Sequence, residues 1–233
     1  MTKLIANMVV RNEANNYLSR VLSRLVNQVD EICITDDCSD DDTVEMALSF
    51  GAKVFKMDEP TFMNNEGRLR QKSWDNLETI VGTDPNTWIL AIDADEELYE
   101  TTYIFDDLLN QKVFEVIAVE FYHMWNESMY RLDKAWAPNK SARLFRYHAN
   151  GKFMDRALAC GSEPTYVREL IAQGKFLKES DLKMKHLSYI KDEDKKAKYD
   201  RYMRIDGGAF HSNAHIISIM DTKPSLMPWQ WDG

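Results

Sequence analysis

Residues Thr87 to Leu98 read TWILAIDADEEL. Trp88 to Ile92 are continuously apolar, and the run breaks off in Asp93, Ala94, Asp95, Glu96 and Glu97. A short apolar run with polar ends suits a strand buried on both faces, as in a parallel sheet. Burying an unpaired carboxylate is expensive, so the chain is expected to emerge into water or meet a cation there. In an open α/β sheet the carboxyl ends of the strands are where ligands bind. Asp93 and Asp95 are two apart and would share one face of a strict strand. Two hard oxygen ligands on one face suit Mg²⁺ or Mn²⁺. The bland alternative is an exposed acidic turn capping the next helix, and DxD alone occurs often by chance.

The segments upstream change that weighting. Leu4 to Val10 reads as a strand that finishes at Arg11, Asn12 and Glu13. Leu18, Val21, Leu22, Leu25 and Val26 then fall on one stripe of a helix, which makes a βα unit. Glu31 to Thr35 reads as a second strand, ending in Asp36 and Asp37. Asp40 to Asp42 are read as caps for a helix that begins near Val44 and closes at Gly51. An EF-hand loop starting at Asp36 or Asp37 fails. Asp41 or Asp42 would stand where Gly is needed, and Ala47 or Leu48 where Glu is needed. A phosphatase-type DxD nucleophile has no other support.

Lys53 to Met57 is expected as a third strand and Glu66 to Val81 as a helix. Arg68 and Arg70, two apart on that helix, cannot face the same way, and Arg68 is assigned to solvent. The first 98 residues are therefore β-α-β-α-β-α-β, a mostly parallel sheet with right-handed crossovers. Arg11–Glu13, Asp36–Asp37 and Asp93–Asp95 then converge on one crevice at the strand ends.

The second half is less regular. A short helix is expected over Thr101–Leu109, strands within Val116–Trp125, Trp136–Tyr147 and Lys183–Leu187, and helices over Thr165–Ala172 and Asp192–Asp206. Gly151 to Gly161 is loop-like, with short strands allowed within it. Arg143 or Arg146 is placed on a polar face. The tail carries Pro224, Pro228, Trp229 and Trp231, which either pack on the body or form a flap whose Trp stacks on a sugar or base.

Composition bounds the reading. The chain has 233 residues, 44% hydrophobic, with a formal net charge of −9, enough for one sizeable α/β domain but adverse to a dedicated nucleic-acid coat. An acidic protein that binds an anionic phosphate needs a local cation. Cys33, Cys38 and Cys160 are odd in number and form no CxxC pair, which fits a reduced, cytoplasmic protein. The apolar stretch before Arg11 is too short for a signal peptide or a membrane span.

The ordered motifs resemble a family 2 glycosyltransferase of the GT-A fold, in the subgroup whose first strand ends in (K/R)NE, here Arg11-Asn12-Glu13. Asp36 to Thr43 resembles the family's DDGSxDxT turn, with Cys38 in place of the usual Gly. Asp93-Ala94-Asp95 resembles its DxD. Later, Arg143-Leu-Phe-Arg146, Lys185-His186-Leu187-Ser188-Tyr189, and Lys198-Tyr199 with Tyr202 to Asp206 are looser landmarks of the subgroup. The resemblance implies one domain over 1–233 with a Rossmann-like, mostly parallel central sheet flanked by helices. Residues 1–98 would be the nucleotide-sugar half, and 99–233 the acceptor-side extension and tail.

It also implies a nucleotide-sugar donor, commonly UDP-linked. Asp37 would receive the nucleobase through its ring N–H. Asp95 would ligate Mn²⁺ or Mg²⁺, with Asp93 at the ribose or the metal and His186 as a third ligand. Arg70 would contact phosphate, and Arg11 and Glu13 would complete the donor set. Members like this one invert the anomeric centre, which needs a general base. A clean ED motif is missing, so Glu163, in a polar loop before a helix, is the first candidate and Asp155 the second. The implied activity is a hexosyltransferase acting on a glycan, a protein or a modified nucleic acid. A nucleotidyltransferase would want a Gly-rich loop after the first strand, which Arg11-Asn12-Glu13-Ala14 is not. A non-catalytic sugar-nucleotide module is disfavoured by the intact DxD.

Overall fold

A computed structural model describes residues 2–82, 86–100, 107–157, 160–178, 180–206 and 211–230. The first half forms as the periodicity predicts. Strand β1 (Lys3–Val10) is followed by α1 (Leu18–Leu25), β2 (Glu31–Asp36), α2 (Thr43–Ser49), β3 (Lys53–Lys56), α3 (Glu66–Val81) and β4 (Thr87–Ala91). Strand β1 pairs in parallel with β2 on one side and β4 on the other, and β2 in parallel with β3. All five residues of β4 are buried, as a strand covered on both faces requires.

The period of two sorts β1 and β4 between two cores. Leu4, Ala6, Met8 and Val10 join Trp88, Leu90 and Ile92 on the face covered by α1. Ile5, Ile89 and Ala91 face the other way, onto Trp74 and Leu77 of α3. Each such fully buried aliphatic side chain contributes roughly 1.5–3 kcal/mol. The stripe of α1 buries Leu18, Val21, Leu22 and Leu25. Val26, read as its fifth member, lies past the helix end and is exposed.

Beyond β4 the chain departs from simple βα alternation. Strands β5 (Glu96–Tyr99), β6 (Val116–His123), β8 (Asn139–Arg146), β9 (Phe176–Leu177) and β10 (Lys183–His186) complete a nine-stranded sheet of order β3-β2-β1-β4-β8-β6-β10-β5, with β9 against β6. Strand β8 runs antiparallel to both β4 and β6, β10 parallel to β6, and β5 antiparallel to β10. The sheet is α/β and mostly parallel, with its reversal placed at β8. Of the helix expected over Thr101–Leu109, residues 101–106 lie outside the described residues and 107–110 are helical. Residues 151–157 contain no strand.

Helices α4 (Thr165–Ala172), α5 (Asp192–Ile205) and α6 (Asn213–Ser218) follow, and β11 (Leu226–Pro228) pairs antiparallel with β7 (Met129–Arg131). Arg131 is fully buried beneath this wall. Its guanidinium pairs with Asp133 and Asp221, donates to the Ser218 carbonyl at 2.5 Å, and lies 4.6 Å from the Trp125 ring centre. Trp229 packs on the body, 5.3 Å from Tyr99 and 4.8 Å from Tyr122 between ring centres; Trp231 lies outside the described residues. The three cysteines are unpaired. Among the described residues, no helix is long and apolar enough to cross a membrane.

Candidate active site

The carboxyl ends of β1 and β2 are sewn together by their own polar residues. The Asn12 backbone N–H donates to Ser39 Oγ (2.9 Å), that of Glu13 to Thr43 Oγ1 (2.7 Å), that of Ala14 to Asp41 Oδ2 (3.2 Å) and that of Asp40 to Asn12 Oδ1 (3.0 Å). Asp36 accepts from the Ser39 amide and hydroxyl. Of the aspartates read as helix caps, Asp41 does the capping, taking the Thr43 amide at 3.0 Å. Asp42 occupies the cap position without a side-chain bond. Cys38 keeps the left-handed backbone (φ 61°) that a glycine would adopt freely. In a non-glycine residue that conformation carries local strain.

Asp37 is buried, and its two oxygens accept the backbone amides of Thr61 (2.7 Å) and Phe62 (3.0 Å), with Arg11 Nη1 at 3.7 Å. A carboxylate has about four acceptor positions, so lone pairs remain for a further donor.

The end of β4 is built differently. Ile92 to Asp95 turn, and Glu96 and Glu97 re-enter the sheet in β5, both buried. The acidic run does not emerge into water as one expectation had it; it meets cations. Glu97 takes Arg20 Nε and Nη2 at 2.8 and 2.9 Å. Asp93 takes Arg70 Nη1 at 2.9 Å, and Glu96 takes Arg143 Nη2 at 2.6 Å together with the Asp93 amide at 2.9 Å. Asp95 faces His186 Nε2 at 3.3 Å. Arg70 reaches Asp93 because α3 is pinned at its first turn, where the Glu66 and Gly67 amides donate to Ala157 and Arg156 carbonyls. A Cβ on Gly67 would lie 1.9 Å from the Met154 carbonyl oxygen, so only glycine permits that approach. Arg68, on another face, is exposed beside Asp155.

These groups line one cleft of about 580 Å³. Six carboxylates (Glu13, Asp37, Glu66, Asp93, Asp95 and Glu96) and five side-chain cations (Arg11, Arg70, Arg143, Lys198 and Arg201) line it. Burial works against the Asp95 charge, but His186 and Lys198 more than offset it and hold the carboxyl below its usual range. Burial, reinforced by the flanking aspartates, pushes Glu96 upward against the pull of Arg143. Burial and then the Asp95 charge push Glu13 up to about 7.

His186 shows how a divalent metal would fit. Burial and then Lys198 lower its pKa against the pull of Asp95, and burial lowers that of His123 further. Their Nδ1 atoms are 3.0 Å apart, within hydrogen-bond distance. Nε2 of His186 is met by Ser188 Oγ at 2.9 Å and Lys198 Nζ at 3.4 Å. Asp95, which can only accept, meets this nitrogen when the proton is on Nε2; Lys198, which can only donate, meets it when the lone pair is there and the proton on Nδ1. The latter is the form a ligating histidine takes, its second nitrogen donating to a neighbour. Asp95 Oδ2 lies 3.3 Å from the same nitrogen, so the two donors sit where one cation could meet both. The ligating atoms of Asp95, Glu96 and His186 all lie within 4.8 Å of one another. Mixed oxygen and imidazole donors suit Mn²⁺ and, with more water, Mg²⁺.

Of the residues chosen from sequence, Arg11, Glu13, Asp37, Arg70, Asp93, Asp95 and His186 all line this cleft. The two acids chosen as bases do not. Glu163 turns to Arg168 (3.6 Å), and Asp155 is 68% exposed and accepts from Asn65 Nδ2 at 2.5 Å. Loop polarity does not say which way a side chain points. Between the two arginines left open, Arg143 lines the cleft, whereas Arg146 lies over Trp88 and donates to the Gln111 carbonyl. Sequence reasoning missed Glu66, Arg201 and His211. It noted Lys198 and Tyr202 only as landmarks, although Lys198, Arg201 and Tyr202 share the i, i+3, i+4 spacing of one helix face. Arg201 Nε is buried with no hydrogen-bond partner among the described residues.

Residues 7–104 match the model of the family described as Glycosyl transferase family 2. Curated relatives include an uncharacterized glycosyltransferase of Rickettsia felis, 38% identical over 110 residues (45% of this chain, 35% of that protein), and one of Rickettsia typhi, 31% identical over 151 residues (62% and 47%). The chain thus spans between a third and a half of these relatives' length. Among solved structures, a mannosyltransferase from Pyrobaculum calidifontis, in complex with GDP-Man and Mn²⁺, superposes with a TM-score of 0.56 at 10% identity, covering 96% of this chain and 66% of that one. S. aureus TarS 1-349 superposes with a TM-score of 0.51 at 15% identity, covering 94% and 69%. These likenesses establish the fold as GT-A.

Proposed function

We propose that the chain, whose residues 7–104 match the model of glycosyl transferase family 2, is a metal-dependent, inverting glycosyltransferase that moves a hexose from a nucleoside-diphosphate sugar to an acceptor hydroxyl. The observation that carries this reading is the gathering of Asp37, Asp93, Asp95 and His186, with Arg11, Arg70, Arg143, Lys198 and Arg201, in one cleft at the carboxyl ends of the strands. No other arrangement in the described residues combines hard metal donors with this many cations.

Asp37, with lone pairs left after binding Thr61 and Phe62, is the receptor for a base N–H. Asp95 and His186 would hold the metal, with Asp93 or Glu96 beside them. When bound, the metal neutralises negative charge on the departing diphosphate. Arg70 and Arg143, now spent on Asp93 and Glu96, are guanidinium groups suited to phosphate oxygens. Arg201 Nε, buried and unpartnered, fits an anionic ligand. A uracil nucleotide is the first choice of base from the family resemblance. A guanine nucleotide is the alternative raised by the GDP-Man bound to the mannosyltransferase of the same fold.

The test is a thermal-shift panel of UDP, GDP, CDP and dTDP, each with and without Mn²⁺, on the wild type and Asp95→Ala. A ligand that binds only the native state adds RT ln(1 + [L]/Kd), ~2.7 kcal/mol at a hundredfold excess over Kd. One nucleotide is expected to give a Mn²⁺-dependent shift that Asp95→Ala loses. The matching sugar nucleotide should then yield a product of inverted anomeric configuration by NMR. Pyrophosphate release from a nucleoside triphosphate would point to nucleotidyl transfer, and binding without any turnover to a sugar-nucleotide module.

A further inference from the structure

An inverting transfer needs a group to take the acceptor's proton, and neither Glu163 nor Asp155 lines the cleft. His211 does. Its Nδ1 lies 2.5 Å from Oδ2 of Asp206, whose side chain is fully buried, and the same oxygen accepts the His211 backbone N–H at 2.9 Å. Asp206 is itself fixed, its amide donating to the Tyr202 carbonyl at the end of α5. The imidazole plane is set by two stacked rings. Tyr202 stacks on one side with centres 4.6 Å apart at 16°, and His215 lies 5.5 Å away at 21°. His215 is backed in turn by Trp136 at 4.6 Å and 26°.

A carboxylate on Nδ1 selects the Nδ1–H tautomer and leaves the Nε2 lone pair as the ring's basic atom. A buried acid orienting an imidazole whose second nitrogen meets the substrate is the arrangement by which a histidine acts as a base. The carboxylates on the β4 side of the cleft are already committed to Arg70, Arg143 or His186.

We propose that His211 is the general base of the transfer and Asp206 its positioning residue; this rests on the glycosyltransferase reading above. As the acceptor oxygen forms its bond to the anomeric carbon, the bond from that carbon to the diphosphate oxygen breaks and its electron pair leaves with the diphosphate. The hydroxyl proton passes to His211 Nε2. Asp206 balances the imidazolium until the proton is lost to solvent. With water as acceptor the same steps give the free sugar and the nucleoside diphosphate.

The test uses the full chain with whichever of UDP-glucose or GDP-mannose matches the nucleotide that shifts the melting curve, and water as acceptor. His211→Ala is expected to keep the Mn²⁺-dependent nucleotide shift and lose about a hundredfold or more of the turnover, with partial restoration by added imidazole. Asp206→Asn is expected to lower kcat with the donor KM unchanged, and imidazole should not restore it. Turnover unchanged in His211→Ala would overturn the proposal. Loss of the Mn²⁺-dependent shift in that variant would overturn it too, by making His211 part of the donor site. A wild type with no nucleotide shift would overturn the donor-site reading, and the base with it.

Discussion

Two clusters of carboxylates stand at neighbouring strand ends, and they are satisfied by different chemistry. Asp36, Asp37 and Asp41 are held chiefly by backbone amides and by hydroxyls, from Ser39, Thr61, Phe62, Thr43 and Ala14 of three neighbouring loops, with Arg11 at 3.7 Å from Asp37. Asp93, Asp95 and Glu96 are held chiefly by side chains from distant elements: Arg70 of α3, Arg143 of β8, His186 of β10. A backbone amide cannot leave its partner without remodelling the loop. A guanidinium on a flexible stem can exchange one anion for another at the cost of a rotamer change. The first cluster is the more rigidly held, Asp37 included; on the proposed function the second would give up its counter-ions when a cation and a phosphate bind.

The comparison breaks most visibly at Asp95. Asp95→Ala should abolish Mn²⁺-dependent nucleotide binding and turnover while lowering the melting temperature of the ligand-free protein only slightly, since His186 and Lys198 favour its charged form but burial works against it. A large drop in ligand-free stability would show that this carboxylate is scaffold after all. Next in size is Gly67→Ala. The added Cβ must displace the Met154 backbone, so calorimetry should show a loss of about 3 kcal/mol. Arg70 should be displaced with α3, weakening nucleotide binding as well.

Asp36→Ala probes the other cluster. It strips the Ser39 amide and hydroxyl of their acceptor, which should cost about 2 kcal/mol in denaturant unfolding. Any effect on nucleotide affinity should be secondary to that loss. Equal losses of stability from Asp36→Ala and Asp95→Ala would erase the distinction. The smallest effect belongs to Cys38→Gly. Relief of a left-handed non-glycine backbone is partly offset by the entropy of glycine and by the lost contact from Sγ to the Met57 carbonyl (3.1 Å), leaving a gain of about 0.5 kcal/mol.

The same contrast explains what the amino-acid sequence discloses. Strands β1 and β4 and helices α1 and α3 announce themselves because a buried strand must be continuously apolar and a surface helix must repeat its apolar residues every three or four positions. Motifs at the ends of such elements inherit a known direction, so Arg11, Asp37, Asp93 and Asp95 could be brought together before any coordinates. Strand β8, flanked by two antiparallel neighbours, alternates too weakly to reveal its reversal. Strands of two or three residues, such as β9, β7 and β11, exist only through their partners. Helix α5 buries none of its residues fully, so no stripe marks the face that carries Lys198, Arg201 and Tyr202 to the cleft. Asp155 lies away from the cleft lining for a similar reason: its side chain meets Asn65, ninety positions away in the chain.

The short ladder between β7 and β11 has a mechanical consequence. It joins residues 129–131 to 226–228, extended at either end by the Leu132 amide on the Ser225 carbonyl and the Trp229 amide on the Ser128 carbonyl. Everything that α5 and α6 contribute to the cleft is strung inside the loop this ladder closes. Closing a loop of about a hundred residues costs only slightly more entropy than closing one half as long, about 0.6 kcal/mol. A few backbone bonds and the small cluster around Trp125, Trp136, Tyr189 and Ile219 therefore act as a clasp. The clasp can open as a unit while β1, β2 and β4 stay paired, and amide exchange should show α5 and α6 exchanging together, well before the central strands.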